Sequence, residues 1–148
     1  MEPPSPRGYR TTLASKPVDS CNPFLYHKTT HRTVYEAARS DFPGFDDVLL
    51  WNEREEITEF TIGNVVLKLD FDLYTPPVQS GLLPGTFRRK MLEQHLVKEK
   101  TLHVEDLEKA KAIYLINSVR EWVTVTWTQT ARGEYPTLPT KVIQPLEA

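Results

Sequence analysis

The sequence predicts a mixed α+β domain, and three observations carry that expectation. Three segments rich in Val, Leu, Ile and Thr follow one another: Asp46 to Trp51, Glu56 to Thr61 and Asn64 to Leu69. They are broken by Asn52-Glu53-Arg54 and by Gly63, and such runs read as consecutive hairpin strands. Beyond Pro84-Gly85 the period changes, and Phe87, Met91, Leu92 and Leu96 share one face of a helix. A length of 148 residues, 39% of them hydrophobic and 26% charged, suits one domain.

Taken in order, residues 1–22 read as a Pro-rich tail or linker, because five of the twelve prolines fall by Pro23 and apolar periodicity is weak. The folded domain is expected over 23–127. Thr33 to Ala38 fits a short helix, and Pro43-Gly44 marks the turn after it. After the three hairpin strands, a short strand at Leu73-Tyr74 ends at Pro76-Pro77. The helix from Thr86 carries Arg88, Arg89, Lys90 and Glu93 mostly outside its apolar face. Val97 to Leu102 reads as a strand and Val104 to Lys111 as a helix whose acidic start and basic end suit the helix dipole. Ala112 to Asn117 and Val123 to Trp127 read as two more strands. Residues 128–148 hold three prolines and no pattern, and are read as a strand end and tail. No internal repeat or low-complexity block appears.

Composition narrows the function classes. No stretch approaches the roughly 20 apolar residues of a membrane helix, and Met1-Glu2-Pro3-Pro4-Ser5-Pro6 lacks a signal-peptide core. The expectation is a soluble, cytoplasmic protein. Cys21 is the only cysteine, which excludes an internal disulfide framework and a cysteine-rich zinc site. A net charge of −2, with Lys and Arg dispersed, gives no footprint for nucleic acid. His27 and His31 stand four apart, but no carboxylate lies between them, and His95 and His103 belong to other elements. No metal site is expected.

Three stretches hold the parts of a site for a phosphate-bearing aldehyde cofactor: a lysine amine, a carboxylate and a Gly-rich turn opening a helix. Lys28 follows Phe24-Leu25-Tyr26, and strand alternation would set it among apolar side chains that make its amine more nucleophilic. The alternative is a surface lysine. Glu59 alternates with Thr58, where a carboxylate would keep a pyridine nitrogen protonated; otherwise it is a solvated glutamate on a half-exposed strand. Asn64 would close the turn beside it. In Gly81-Leu82-Leu83-Pro84-Gly85-Thr86-Phe87-Arg88, Gly85 lets the backbone approach a phosphate while Thr86 and Phe87 present N–H groups at a helix start. A plain strand-to-helix turn is the alternative there.

The order of these parts, together with Asp47-Val48-Leu49-Leu50-Trp51-Asn52-Glu53 and Asn117-Ser118-Val119-Arg120-Glu121-Trp122-Val123, resembles the fold-type IV pyridoxal-phosphate enzymes. That is the class IV aminotransferase family, which includes branched-chain and D-amino acid aminotransferases and aminodeoxychorismate lyase, and the phrases look most like the lyase. The likeness covers about residues 22–127 and implies the C-terminal, cofactor-bearing domain of the D-amino acid aminotransferase-like fold, a barrel-like mixed sheet with flanking helices. The resemblance implies pyridoxal 5'-phosphate as cofactor, Lys28 as its Schiff-base lysine and Glu59 as partner of the pyridine nitrogen. It further implies Thr86 and Phe87 amides and Ser118 on the phosphate, Leu83 near the ring, Arg32 near the ring hydroxyl and Arg120 as a carboxylate anchor for substrate.

The implied reaction is elimination of pyruvate from aminodeoxychorismate to give 4-aminobenzoate, a folate precursor. An aminotransferase acting on an amino acid, or a non-catalytic interaction module, are the alternatives. Family members also have a smaller N-terminal domain, and Met1 stands only some two dozen residues before Lys28. The expectation is therefore a chain lacking that domain, with impaired catalysis, acting as a homodimer or by pairing with a full-length homologue.

Overall fold

The computed structural model describes residues 9–22, 32–128 and 142–143. Among these described residues nine strands and two α-helices follow in order: β1 Tyr9–Leu13, α1 Arg32–Ser40, β2 Asp47–Trp51, β3 Ile57–Phe60, β4 Asn64–Leu69, β5 Asp72–Thr75, α2 Thr86–Glu93, β6 Lys98–Glu99, β7 Ala112–Asn117, β8 Glu121–Thr128 and β9 Val142–Ile143. The strands form one mixed sheet in the order β3-β2-β1-β8-β7-β4-β5-β6, with β9 on β8. Because β3 also pairs with β4, Glu59 opposite Asn64, six of the strands close into a barrel. This is the expected α+β class.

Period-two alternation builds two apolar layers. Val65 and Leu67 of β4 and Ile113 and Leu115 of β7 join the main core with Leu13, Leu49, Trp51, Phe60, Val125 and Trp127. Val66 and Ile116, on the opposite faces, meet Phe87, Met91 and Val97 and so dock α2 against the barrel wall. Each such large side chain withdrawn from water contributes about 1.5–3 kcal/mol.

Several expectations are corrected. The tail expected over residues 1–22 contains β1, a strand held between β2 and β8 and parallel to both, with Thr11 opposite Asp47 on one side and Trp127 on the other. Its sequence, Tyr-Arg-Thr-Thr-Leu, is stabilised by partners distant in sequence, and Thr11, Thr12 and Leu13 are fully buried. Only Lys98–Glu99 of the segment 97–102 pairs as a strand, beside β5. Val104–Glu108 is a 3-10 turn instead of a longer helix, with His103 and Asp106 forming a capping box. Arg88 lies buried, donating to Glu99 at 2.6 Å and to the Pro76 carbonyl at 3.0 Å. Beyond Thr128, Val142–Ile143 returns to pair with β8 where a patternless tail was expected.

Candidate functional site

Glu59 is the chemical centre of a cleft of about 520 Å3. It projects from β3 just before the tight turn Phe60-Thr61-Ile62-Gly63, in which the Phe60 N–H donates to the Gly63 carbonyl. Asp47, at the start of β2, accepts the Thr61 hydroxyl at 2.5 Å and the Val48, Thr61 and Ile62 amides. Asn117 ties the Ile62 carbonyl from β7. Gly63 permits the close seam on β7: a Cβ there would stand 2.5 Å from the Ile116 carbonyl oxygen.

The Glu59 carboxylate is 3% exposed and bonded at both oxygens. Its Oε2 accepts the Tyr35 hydroxyl at 2.5 Å, and its Oε1 accepts the Leu83 N–H at 3.3 Å. Burial pushes its pKa up to about 8, against the lowering effect of Tyr35 and Leu83 and with a smaller push from the Asp47 charge. Burial likewise raises Asp47, opposed by its hydrogen bonds from Thr61, Val48 and Ile62. The Tyr35 phenol is driven well above its ordinary value by burial and by Glu59, which keeps it a donor.

The loop before α2 is clipped to the same turn, because Asn64 Nδ2 donates to the Leu83 carbonyl at 2.9 Å. Gly85 then passes so close to Asn64 that a Cβ would lie 2.6 Å from its Oδ1. Gly85 is also the N-cap of α2 and has no side chain with which to cap the helix. The first intrahelical bond runs from the Arg89 N–H to the Gly85 carbonyl, so the amides of Thr86, Phe87 and Arg88 precede it. The Thr86 and Ser118 hydroxyls sit 2.6 Å apart, and both residues line the cleft with Asn117. An uncapped helix start beside two hydroxyls has the donors and the dipole direction that suit an anion.

The structure thus gathers Glu59, Asn64, Leu83, Gly85, Thr86 and Ser118 around one cleft. The Phe87 side chain points elsewhere, edge-on to Trp122. Arg120 does not line the cleft, and its guanidinium lies 5.4 Å from the centre of the Tyr9 ring. Lys28, His27, His31 and the Arg32 side chain lie outside the described residues. Among the described residues no cluster of three or more metal-ligating side chains forms, and no helix is long and apolar enough to cross a membrane.

Comparison with known proteins agrees with this layout. The sequence profile of the amino-transferase class IV family matches residues 1–127. The chain belongs to that family. Its members are pyridoxal-phosphate-dependent enzymes of fold type IV. A Schizosaccharomyces pombe protein named "Putative aminodeoxychorismate lyase" is 35% identical over 107 residues, 68% of this chain and 46% of that protein.

Among solved structures, a "Putative amino-acid aminotransferase" from Mesorhizobium loti is 38% identical with a TM-score of 0.77, covering 85% of this chain and 64% of the other. A "Putative 4-amino-4-deoxychorismate lyase" from Legionella pneumophila is 29% identical with a TM-score of 0.76, covering 88% and 51%. This class IV chain spans less than half the length of the curated relatives it matches.

Sequence reasoning missed three participants: Tyr35, Arg39 and Asp47. Tyr35 and Arg39 line the cleft from α1, and the spacing of Tyr35, Ala38 and Phe42, which pack together on the core, was the available signal. Asp47 acts through its hold on the Thr61-Ile62 turn, which no local pattern announces.

Proposed function

We propose that the cleft binds pyridoxal 5'-phosphate and that the chain serves an aminodeoxychorismate lyase-type reaction, eliminating pyruvate to leave 4-aminobenzoate. The observation that carries the cofactor reading is the pairing in one cleft of a buried carboxylate, Glu59, with an uncapped helix start flanked by Thr86 and Ser118. A pyridine nitrogen and a phosphate need those two features. Glu59 would hold the ring nitrogen, and the Thr86 and Ser118 hydroxyls with the first α2 amides would hold the phosphate. The Leu83 backbone would line the ring between them.

When bound, this cofactor supplies an electron sink for the substrate carbon that loses a proton. Lys28 would take that proton at Nζ, as the family resemblance assigns, while Glu59 would hold the proton on the ring nitrogen. The overall elimination breaks one C–O bond and needs no oxidant or second substrate, since 4-aminobenzoate and pyruvate together contain every atom of the substrate. The lyase outcome is favoured by the 35% identity with the S. pombe protein. Aminotransfer to a 2-oxo acid is the second reading, favoured by the 38% identity with the M. loti structure.

The test begins with purified chain, pyridoxal phosphate and borohydride, followed by peptide mapping. Label confined to Lys28 and lost in Glu59→Ala supports the cofactor site; scattered label overturns it. The loaded chain is then given aminodeoxychorismate. Equal release of pyruvate and 4-aminobenzoate supports the lyase reading. Amino-group exchange between an amino acid and a 2-oxo acid supports the second. Labelling at Lys28 with neither reaction makes this chain a non-catalytic binder.

A further inference from the structure

We propose that Tyr35 is the positioning residue for Glu59, fixing its carboxylate toward the ring nitrogen of a bound pyridine cofactor; the inference rests on the cofactor reading above. Glu59 has three rotatable side-chain bonds, and in the described structure two contacts restrain its oxygens. One is the long 3.3 Å bond from the Leu83 amide to Oε1; the other is the 2.5 Å bond from the Tyr35 hydroxyl to Oε2. The two donors come from separate elements, the loop before α2 and helix α1, so together they fix the plane of the carboxylate. Tyr35 is the stronger holder, because its bond is the shorter, 2.5 Å against 3.3 Å for the amide.

The phenol also opposes the drift of Glu59 toward a permanently neutral acid. Burial and the Asp47 charge from β2 both raise its proton affinity, and Tyr35 and the Leu83 amide lower it. Arg39 and Glu36 of α1 line the same cleft, and Arg39 acts on Asp47. Removing the phenol would leave Oε2 buried without its donor and the carboxyl group free to rotate. The nitrogen-facing geometry would then be lost while the phosphate site at α2 stays intact.

The experiment compares binding of pyridoxal phosphate with binding of its 1-deaza analogue, in which carbon replaces the ring nitrogen, followed by absorbance at about pH 7. Wild type should prefer the natural ring. Tyr35→Phe should lower affinity for pyridoxal phosphate about tenfold, the lower end for a hydrogen bond to a charged group, and leave the analogue within about twofold. Equal weakening of both compounds, or an unchanged preference, overturns the proposal while leaving the cofactor reading in place. Binding of neither compound by wild type overturns both.

Should Tyr35→Phe fail to fold, 3-fluorotyrosine at position 35 keeps the donor and makes it more acidic. The 13C-carboxyl titration of Glu59 should then move to lower pH. An unmoved titration overturns the proposal.

Discussion

Replacing Glu59 by glutamine should reshape the pH dependence of folding stability. Glu59 titrates near 4.5 when unfolded, while burial lifts it to about 8 in the folded chain. Below 4.5 both states are protonated, and the group contributes its full relative stability. As pH rises above 4.5 the unfolded state ionises while the folded state keeps its proton, so stability is lost progressively until pH passes about 8. The slope approaches about 1.4 kcal/mol per pH unit, and the whole window is worth at most about 5 kcal/mol. That is a large share of the roughly 5–15 kcal/mol that holds a typical domain folded.

The Glu59→Gln side chain stays neutral throughout, so the variant's stability curve should lack this slope. Urea unfolding of both proteins without cofactor, at intervals from about pH 4 to pH 9, gives two curves whose difference isolates Glu59. Asp47 contributes to both curves, and so does Glu53, held at about 2 by its contacts with Ser20, whose stabilisation begins to fall only below its unfolded value of 4.5. The expected difference grows between 4.5 and 8 in favour of the glutamine variant. A difference that does not change with pH, or a Glu59 carboxyl signal titrating near 4.5, would refute the reasoning.

Other outcomes follow from the same geometry. Thr86→Ala and Ser118→Ala should each weaken pyridoxal phosphate binding by about 1.5–3 kcal/mol, the range for hydrogen bonds to a charged group, as read by absorbance titration, with urea midpoints nearly unchanged. Gly85→Ala would set its Cβ 2.6 Å from Asn64 Oδ1. It should break the Asn64 bond to the Leu83 carbonyl and lower both cofactor affinity and stability, the latter by about 1–3 kcal/mol. Gly63→Ala meets the Ile116 backbone and the Leu115 side chain at 2.5 and 2.8 Å. It should destabilise the barrel by about 2–3 kcal/mol or more in urea unfolding, because a backbone neighbour yields less than a side chain.

Much of the fold was legible because its cues are local. Val-, Leu- and Ile-rich runs gave β2, β3, β4 and β7 nearly to the residue, and Gly85 with the Phe87, Met91 and Leu92 spacing gave α2. The seat of Glu59 opposite Asn64 followed from a tight turn at Gly63. Arg88 was misjudged because a charged side chain on a helix reads as exposed until its partners, Glu99 and the Pro76 carbonyl, are known to lie beside it. The place of Arg120 was likewise not legible: its neighbour Ser118 reaches the cleft, but two residues around the β7–β8 turn carry the guanidinium to Tyr9.

By itself the sequence determined the α+β class, the family likeness and the positions of a carboxylate and a helix start suited to a pyridine phosphate. Those depend on residue type and short spacing, which a single strand of text contains. Tertiary structure alone decided that residues 9–13 belong to the barrel, that Tyr35 meets Glu59, and that Asp47 braces the turn holding it. Parallel pairing, burial and the proton affinity of a carboxylate depend on groups that chain closure brings together. Tyr35 and Glu59, 24 residues apart in sequence, become neighbours only when α1 packs against β2, the strand that pairs with β3.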